Sequence, residues 1–130
     1  MGFIYCNPNP KENLTGDCVI RAICIAENKS WDEIFLDLMI KCFELKDMPS
    51  DNATWNKYLQ SIGYKRHIIP DTCPDCYTVN DFTKDNPKGV FILGTGTHVI
   101  AVKDGNHYDT WDSGTKIPIY YWSKESTDYE

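Results

Sequence analysis

The chain has no apolar run approaching the roughly 18 residues that a membrane-spanning helix requires. It has no block of Lys and Arg either. Thirteen basic residues are scattered among nineteen acidic ones, for a net charge of −6. A large nucleic-acid-binding face is therefore not expected, because such faces work by neutralising phosphates. The opening residues, Met1-Gly2-Phe3-Ile4-Tyr5-Cys6, lack the basic region and long apolar stretch of a secretory signal. Cys6 also stands where a myristoylation signal would carry Ser or Thr. The expected location is the cytoplasm. No repeat, linker or low-complexity segment divides the 130 residues, which read as a single domain large enough for a real core.

Cysteine is plentiful, with six residues. In a cytosolic chain these are expected to be free, catalytic or metal-binding rather than paired. Cys24 and Cys42 fall within helical apolar patterns and read as small buried hydrophobes. Cys73-Pro74-Asp75-Cys76 forms a CxxC, but a zinc site needs four ligands. The remaining donors, Cys6, His67 and His107, are distant in sequence, so the motif reads as a plain loop and no metal or cofactor is expected. Gly94-Thr95-Gly96 lacks the Lys and the following helix of a phosphate loop, and reads as a turn feeding a strand.

Residues 1–14, with Asn7-Pro8-Asn9-Pro10, read as an irregular lead-in. Thr15 is the expected N-cap of a first helix that runs to about Asn28. Val19, Ala22, Ile23 and Ala26 form its apolar stripe. Ser30 and Glu33 form a capping box opening a second helix to about Leu45, and a third is expected from about Ala53 to Ile62. Beyond Gly63 the period changes. Tyr64–Ile69 is strand-like and Thr78–Lys84 suits a short helix. Strands are then expected over Val90–Leu93, His98–Val102, Asn106–Trp111 and Ile117–Trp122, with a polar tail over 123–130. Helices first and an antiparallel sheet second define an α+β fold.

One constellation points to a chemistry. Cys18 opens the first helix in Thr15-Gly16-Asp17-Cys18-Val19-Ile20, His98 enters a strand, and Asp109 and Asp112 lie on or after the next. A thiol becomes a nucleophile as thiolate, and a helix N-terminus or a neighbouring imidazolium depresses its pKa. Asp104-Gly105 between two strand-like runs signals a two-residue hairpin turn. That turn sets Lys103 opposite Asn106, Ile100 opposite Asp109 and His98 opposite Trp111, so Asp109 shares a face with His98. A three-residue loop would instead bring Asp112 opposite His98. Cys18 is then the nucleophile, His98 the proton carrier and Asp109 the residue that orients the imidazole. Asn13 is the one side-chain amide between Pro10 and Cys18 available as an oxyanion donor. Asp17 and Trp111, neighbours of the nucleophile and the base, join it as candidate substrate-binding residues. Asp17 and Arg21, four apart, are expected to form a surface pair.

At these residues the chain resembles the papain-like cysteine peptidases, nearest to the C39-like bacterial and phage branch. In that superfamily a Cys opens the central helix, a His starts a strand, and an Asn or Asp follows on the next. Asp109-Thr110-Trp111 is similar to papain's Asn-Ser-Trp, and Thr97-His98-Val99-Ile100-Ala101-Val102 to the branch's His strand. The family's oxyanion Gln lies six residues before the Cys, where this chain has Glu12, one residue ahead of Asn13. The resemblance spans roughly residues 12–28 and 88–114. It implies a minimal papain-like fold and a thiol hydrolase acting on a peptide, isopeptide or other amide in a peptide or protein substrate. The same superfamily includes acyltransferases and inactive binding modules. The alternative it implies is a module that sequesters a small molecule or inhibits a protein partner, such as a phage accessory or anti-defence protein.

Overall fold

The computed structural model describes residues 2–49 and 51–124. In chain order the elements are β1 (Gly2–Tyr5), α1 (Cys18–Glu27), α2 (Trp31–Leu45), α3 (Asn52–Ser61), β2 (Tyr64–Ile68), α4 (Val79–Asp85), β3 (Val90–Gly94), β4 (Val99–Lys103), β5 (Asn106–Asp109) and β6 (Tyr120–Lys124). The fold is α+β. Its strands form one sheet in the order β1-β5-β4-β3-β6-β2. The sheet is mixed, which corrects the purely antiparallel expectation. β1 lies in the stretch expected to be irregular and pairs parallel with β5, Tyr5 beside Asp109. Of the polar tail expected over 123–130, Ser123 and Lys124 belong to β6, and residues 125–130 lie outside the described ones.

Local chemistry accounts for most element boundaries. Ser30 accepts the Glu33 N–H at the start of α2, whose buried residues Ile34, Leu38 and Cys42 recur every four positions. Thr78 and Asp81 form a reciprocal capping box on α4. Asp104 and Gly105 both have positive φ, 50° and 81°, as a type I′ turn requires. The resulting hairpin pairs Lys103 with Asn106, Val102 with His107 and Ala101 with Tyr108, the expected register. Gly94-Thr95-Gly96 is a turn in which the Thr95 N–H donates to the His98 carbonyl and the His98 N–H to the Thr95 hydroxyl.

The sheet is covered on both faces. Ile92, Val99, Ala101 and Trp122 pack with α1, α2 and α3, including Ile23, Leu38 and Leu59. Leu93, Ile100 and Val102 alternate with them and pack beneath Val79 and Phe82 of α4. Cys24 and Cys42 are buried in the larger cluster, as their helical positions suggest. Cys73 and Cys76 are joined as a disulfide, which corrects the expectation of free thiols. The turn closed by Thr72 and Asp75 brings their Cα atoms to 4.2 Å. No described helix is long and apolar enough to cross a membrane.

Candidate active site

Three elements converge on Cys18. It is the first residue of α1, whose N-terminal peptide dipoles favour negative charge on its sulfur. His98 immediately precedes β4, and Asp109 is the last residue of β5, so the two meet at the end of the hairpin ladder. His98 Nε2 lies 2.6 Å from Asp109 Oδ2. That bond leaves Nδ1 as the ring nitrogen for Cys18. Burial pushes the Cys18 thiol up, but a hydrogen bond from His98, the Val99 N–H and the charges of His98 and Arg21 outweigh it. The net pKa falls below the ordinary 9.0. Burial pulls His98 down, and its bonds to Asp109 and Cys18 overcome this, raising it to about 9. Both shifts favour the thiolate–imidazolium pair over the neutral one.

Asp109 is fixed on every side. Burial raises its pKa, and the His98 hydrogen bond and charge, the Ser113 hydroxyl and the Thr110 N–H lower it below the ordinary value. The Ser113 and Thr110 contacts are each 2.8 Å. Asp112 is engaged elsewhere, 2.8 Å from His107 Nε2, so of the two acids Asp109 is the one that reaches His98.

Asp17 and Arg21 depart from the expected surface pair. Both are buried, at 5% and 6% exposure. Asp17, not Thr15, is the N-cap residue of α1, but its carboxylate caps no N–H. Instead it takes the Arg21 guanidinium and, at 2.8 Å, the Trp31 indole N–H. Arg21 Nη1 also donates to the Thr15 carbonyl, and Nη2 approaches Asp109 Oδ1 at 3.6 Å. A chain Asp17–Arg21–Asp109–His98–Cys18 results, its first three members buried and His98 and Cys18 half-buried. Sequence spacing located the Asp17–Arg21 pair, but its burial and its reach to Asp109 depend on tertiary packing.

Trp111, though 43% exposed, stacks on the His98 ring with centroids 4.9 Å apart, and so covers one face of the imidazole. Asn13 is not brought to the site. It is exposed and absent from the cleft wall, and its contact is a carbonyl that accepts from Asn7. The left-handed backbone of Glu12 (φ 57°) turns this segment before it reaches α1. An oxyanion at Cys18 would therefore rely on backbone N–H groups at the start of α1.

Cys18 and His98 open into a cleft of about 1020 Å³ between α1–α3 and the sheet. Its walls include Phe35, Met39, Trp55, Tyr120 and Trp122, which the sequence pattern did not mark as a site. Gly94 forms part of its floor, where a Cβ would lie 3.1 Å from the Trp122 ring. Among the described residues, no group of three or more His, Cys, Asp or Glu is placed to hold a metal ion. Compared with family models, with curated proteins and with solved structures, the chain matches none.

Proposed function

We propose that the protein is a papain-like thiol hydrolase that cleaves a peptide, isopeptide or other amide bond. The observation that carries this reading is the continuous line from Cys18 at a helix N-terminus through His98 to buried Asp109, facing a cleft of substrate size. The Cys18 thiolate attacks the carbonyl carbon, and the tetrahedral oxyanion forms against the first N–H groups of α1. His98, as imidazolium, gives its proton to the leaving nitrogen as the C–N bond breaks, leaving a thioester. A water then loses a proton to His98 and attacks the thioester. The acid departs, and the thiolate and imidazolium return. Asp109 holds the imidazole in orientation throughout.

That Asn13 is not brought to the cleft favours a second reading, a binding module of the same fold with little turnover. The other three free cysteines have raised pKa values, Cys24 to about 12 by burial, so Cys18 is chemically distinct. Iodoacetamide at pH 6 should alkylate Cys18 selectively, and His98→Ala should abolish the preference, both read by mass spectrometry of the modified peptides. Equal labelling of the other thiols would remove the nucleophile. Selective labelling with no acyl-enzyme adduct from any activated amide or ester would leave the binding module.

A further inference from the structure

The cleft beside Cys18 has a chemistry of its own away from the thiol. Its floor is one face of the sheet, crossed strand by strand: Val99 pairs with Gly94, Gly94 with Tyr120, and Tyr120 with Ile68. That is three strand spacings of ~4.8 Å, so β2 lies roughly 14 Å across the sheet from the start of β4. Between them the walls are aromatic or aliphatic. Trp55 and Trp122 lie with ring centroids 4.7 Å apart, and Tyr120 flanks Trp122.

At the β2 end stands Arg66, paired in register with Trp122 and stacked over the Tyr120 ring at 4.8 Å. Its guanidinium forms no ion pair among the described residues. The carboxylate in the cleft lining, Asp17, is already taken by Arg21 and Trp31. On the opposite wall Asn52 and Asn56, one turn apart on α3, each accept an indole N–H through Oδ1, from Trp55 at 3.1 Å and Trp122 at 2.8 Å. Those bonds fix which way each amide points. Both Nδ2 groups, with no partner among the described residues, are left as donors along the cleft.

We infer that this cleft takes an acyl group that is apolar along its length and ends in a carboxylate, with the carbonyl at Cys18 and the anion held by Arg66, Asn52 and Asn56. This rests on the hydrolase reading for which end is attacked. The fit is one of sign and shape: aromatic walls for the chain, then a donor-only terminus in an otherwise acidic protein. Arg66 is solvent-exposed, so its replacement leaves the core undisturbed.

The test uses the 4-nitroanilide of dodecanedioic acid, its methyl ester and the 12-aminododecanoic analogue, which share a chain and differ in the charge of its far end. Binding to the Cys18→Ala protein is followed by tryptophan fluorescence, and nitroaniline release is followed with the unmodified protein. The acid should bind roughly tenfold tighter than the ester, and the amine weakest. Arg66→Gln should level the acid and ester, and Arg66→Glu should favour the amine. Equal affinities of the three compounds, or a preference untouched by Arg66→Gln, would overturn the inference. Charge-selective binding without release would overturn the hydrolase reading while leaving the anion end in place. Release without charge preference would do the reverse.

Discussion

Arg21 shows how much a single buried charge does here. It lies between two carboxylates, Asp17 and Asp109, and its charge also helps to lower the Cys18 pKa. Arg21→Met leaves buried Asp17 without its cation and Asp109 with His98 alone as its cation, a change that typically costs about 3 kcal/mol or more. It also removes one of the forces favouring the thiolate. In the unmodified protein, alkylation of Cys18 should rise with pH as the thiolate forms, with a midpoint below the ordinary 9.0 of a thiol. Activity should then fall as His98 loses its proton near pH 9. In Arg21→Met the lower midpoint should move upward, because losing a positive neighbour disfavours the anion, while the urea midpoint drops. A purely structural Arg21 would lower the urea midpoint and leave the pH profile of the folded fraction in place. This role was not legible in the sequence. An i,i+4 acid–base pair on a helix looks the same whether solvent or a second carboxylate waits beyond it.

Among the elements, the β4–β5 hairpin carries the clearest sequence instruction. Asp-Gly between two strand-like runs specifies both turn type and register, and that register delivers Asp109 to His98. The cap at Ser30 was legible for the same reason: its side chain lies within three residues of the backbone it satisfies. Thr15 misled because Gly16 and Asp17 follow it, and the acid that stands at the N-cap spends its oxygens on Arg21 and Trp31. The turn offers a direct test. Gly105 has φ 81°, and a Cβ there would lie 3.4 Å from Pro87 Cα. Gly105→Ala should cost about 1–2 kcal/mol through the left-handed backbone alone. Asp104→Asn should be close to neutral, since Asn tolerates positive φ and keeps the oxygen that accepts the Gly89 N–H at 3.0 Å. Urea titration distinguishes the two. An Asp104→Asn loss as large as that of Gly105→Ala would mean that the carboxylate charge, rather than the turn conformation, sets hairpin stability.

Across the whole molecule, the site depends on contacts that no local pattern encodes. β1 has four residues, a parallel partner about a hundred positions away, and none of the alternation that marks a strand in sequence. Yet it borders the strand that ends in the orienting acid. Tyr5 pairs with Asp109, and the Cys6 N–H donates to the Asp109 carbonyl at 2.9 Å. Phe3 packs on buried His107 at 5.5 Å, whose Nε2 in turn holds Asp112. The cleft is equally non-local, since its floor joins β4, β3, β6 and β2 while its roof comes from α2 and α3. Nothing local in its residues marked them as the wall of a pocket. A chain beginning at Asn7 would expose one side of β5 and free the backbone of Asp109, while the hairpin, the caps and both hydrophobic clusters keep their own contacts. Such a chain should fold with a lowered urea midpoint. Its Cys18 should label at pH 6 more slowly than in the full chain, because an unanchored Asp109 orients the imidazole less well. Unchanged labelling with lowered stability would limit β1 to covering the sheet edge, and Asp109 would then be held by Arg21, Ser113 and Thr110 alone.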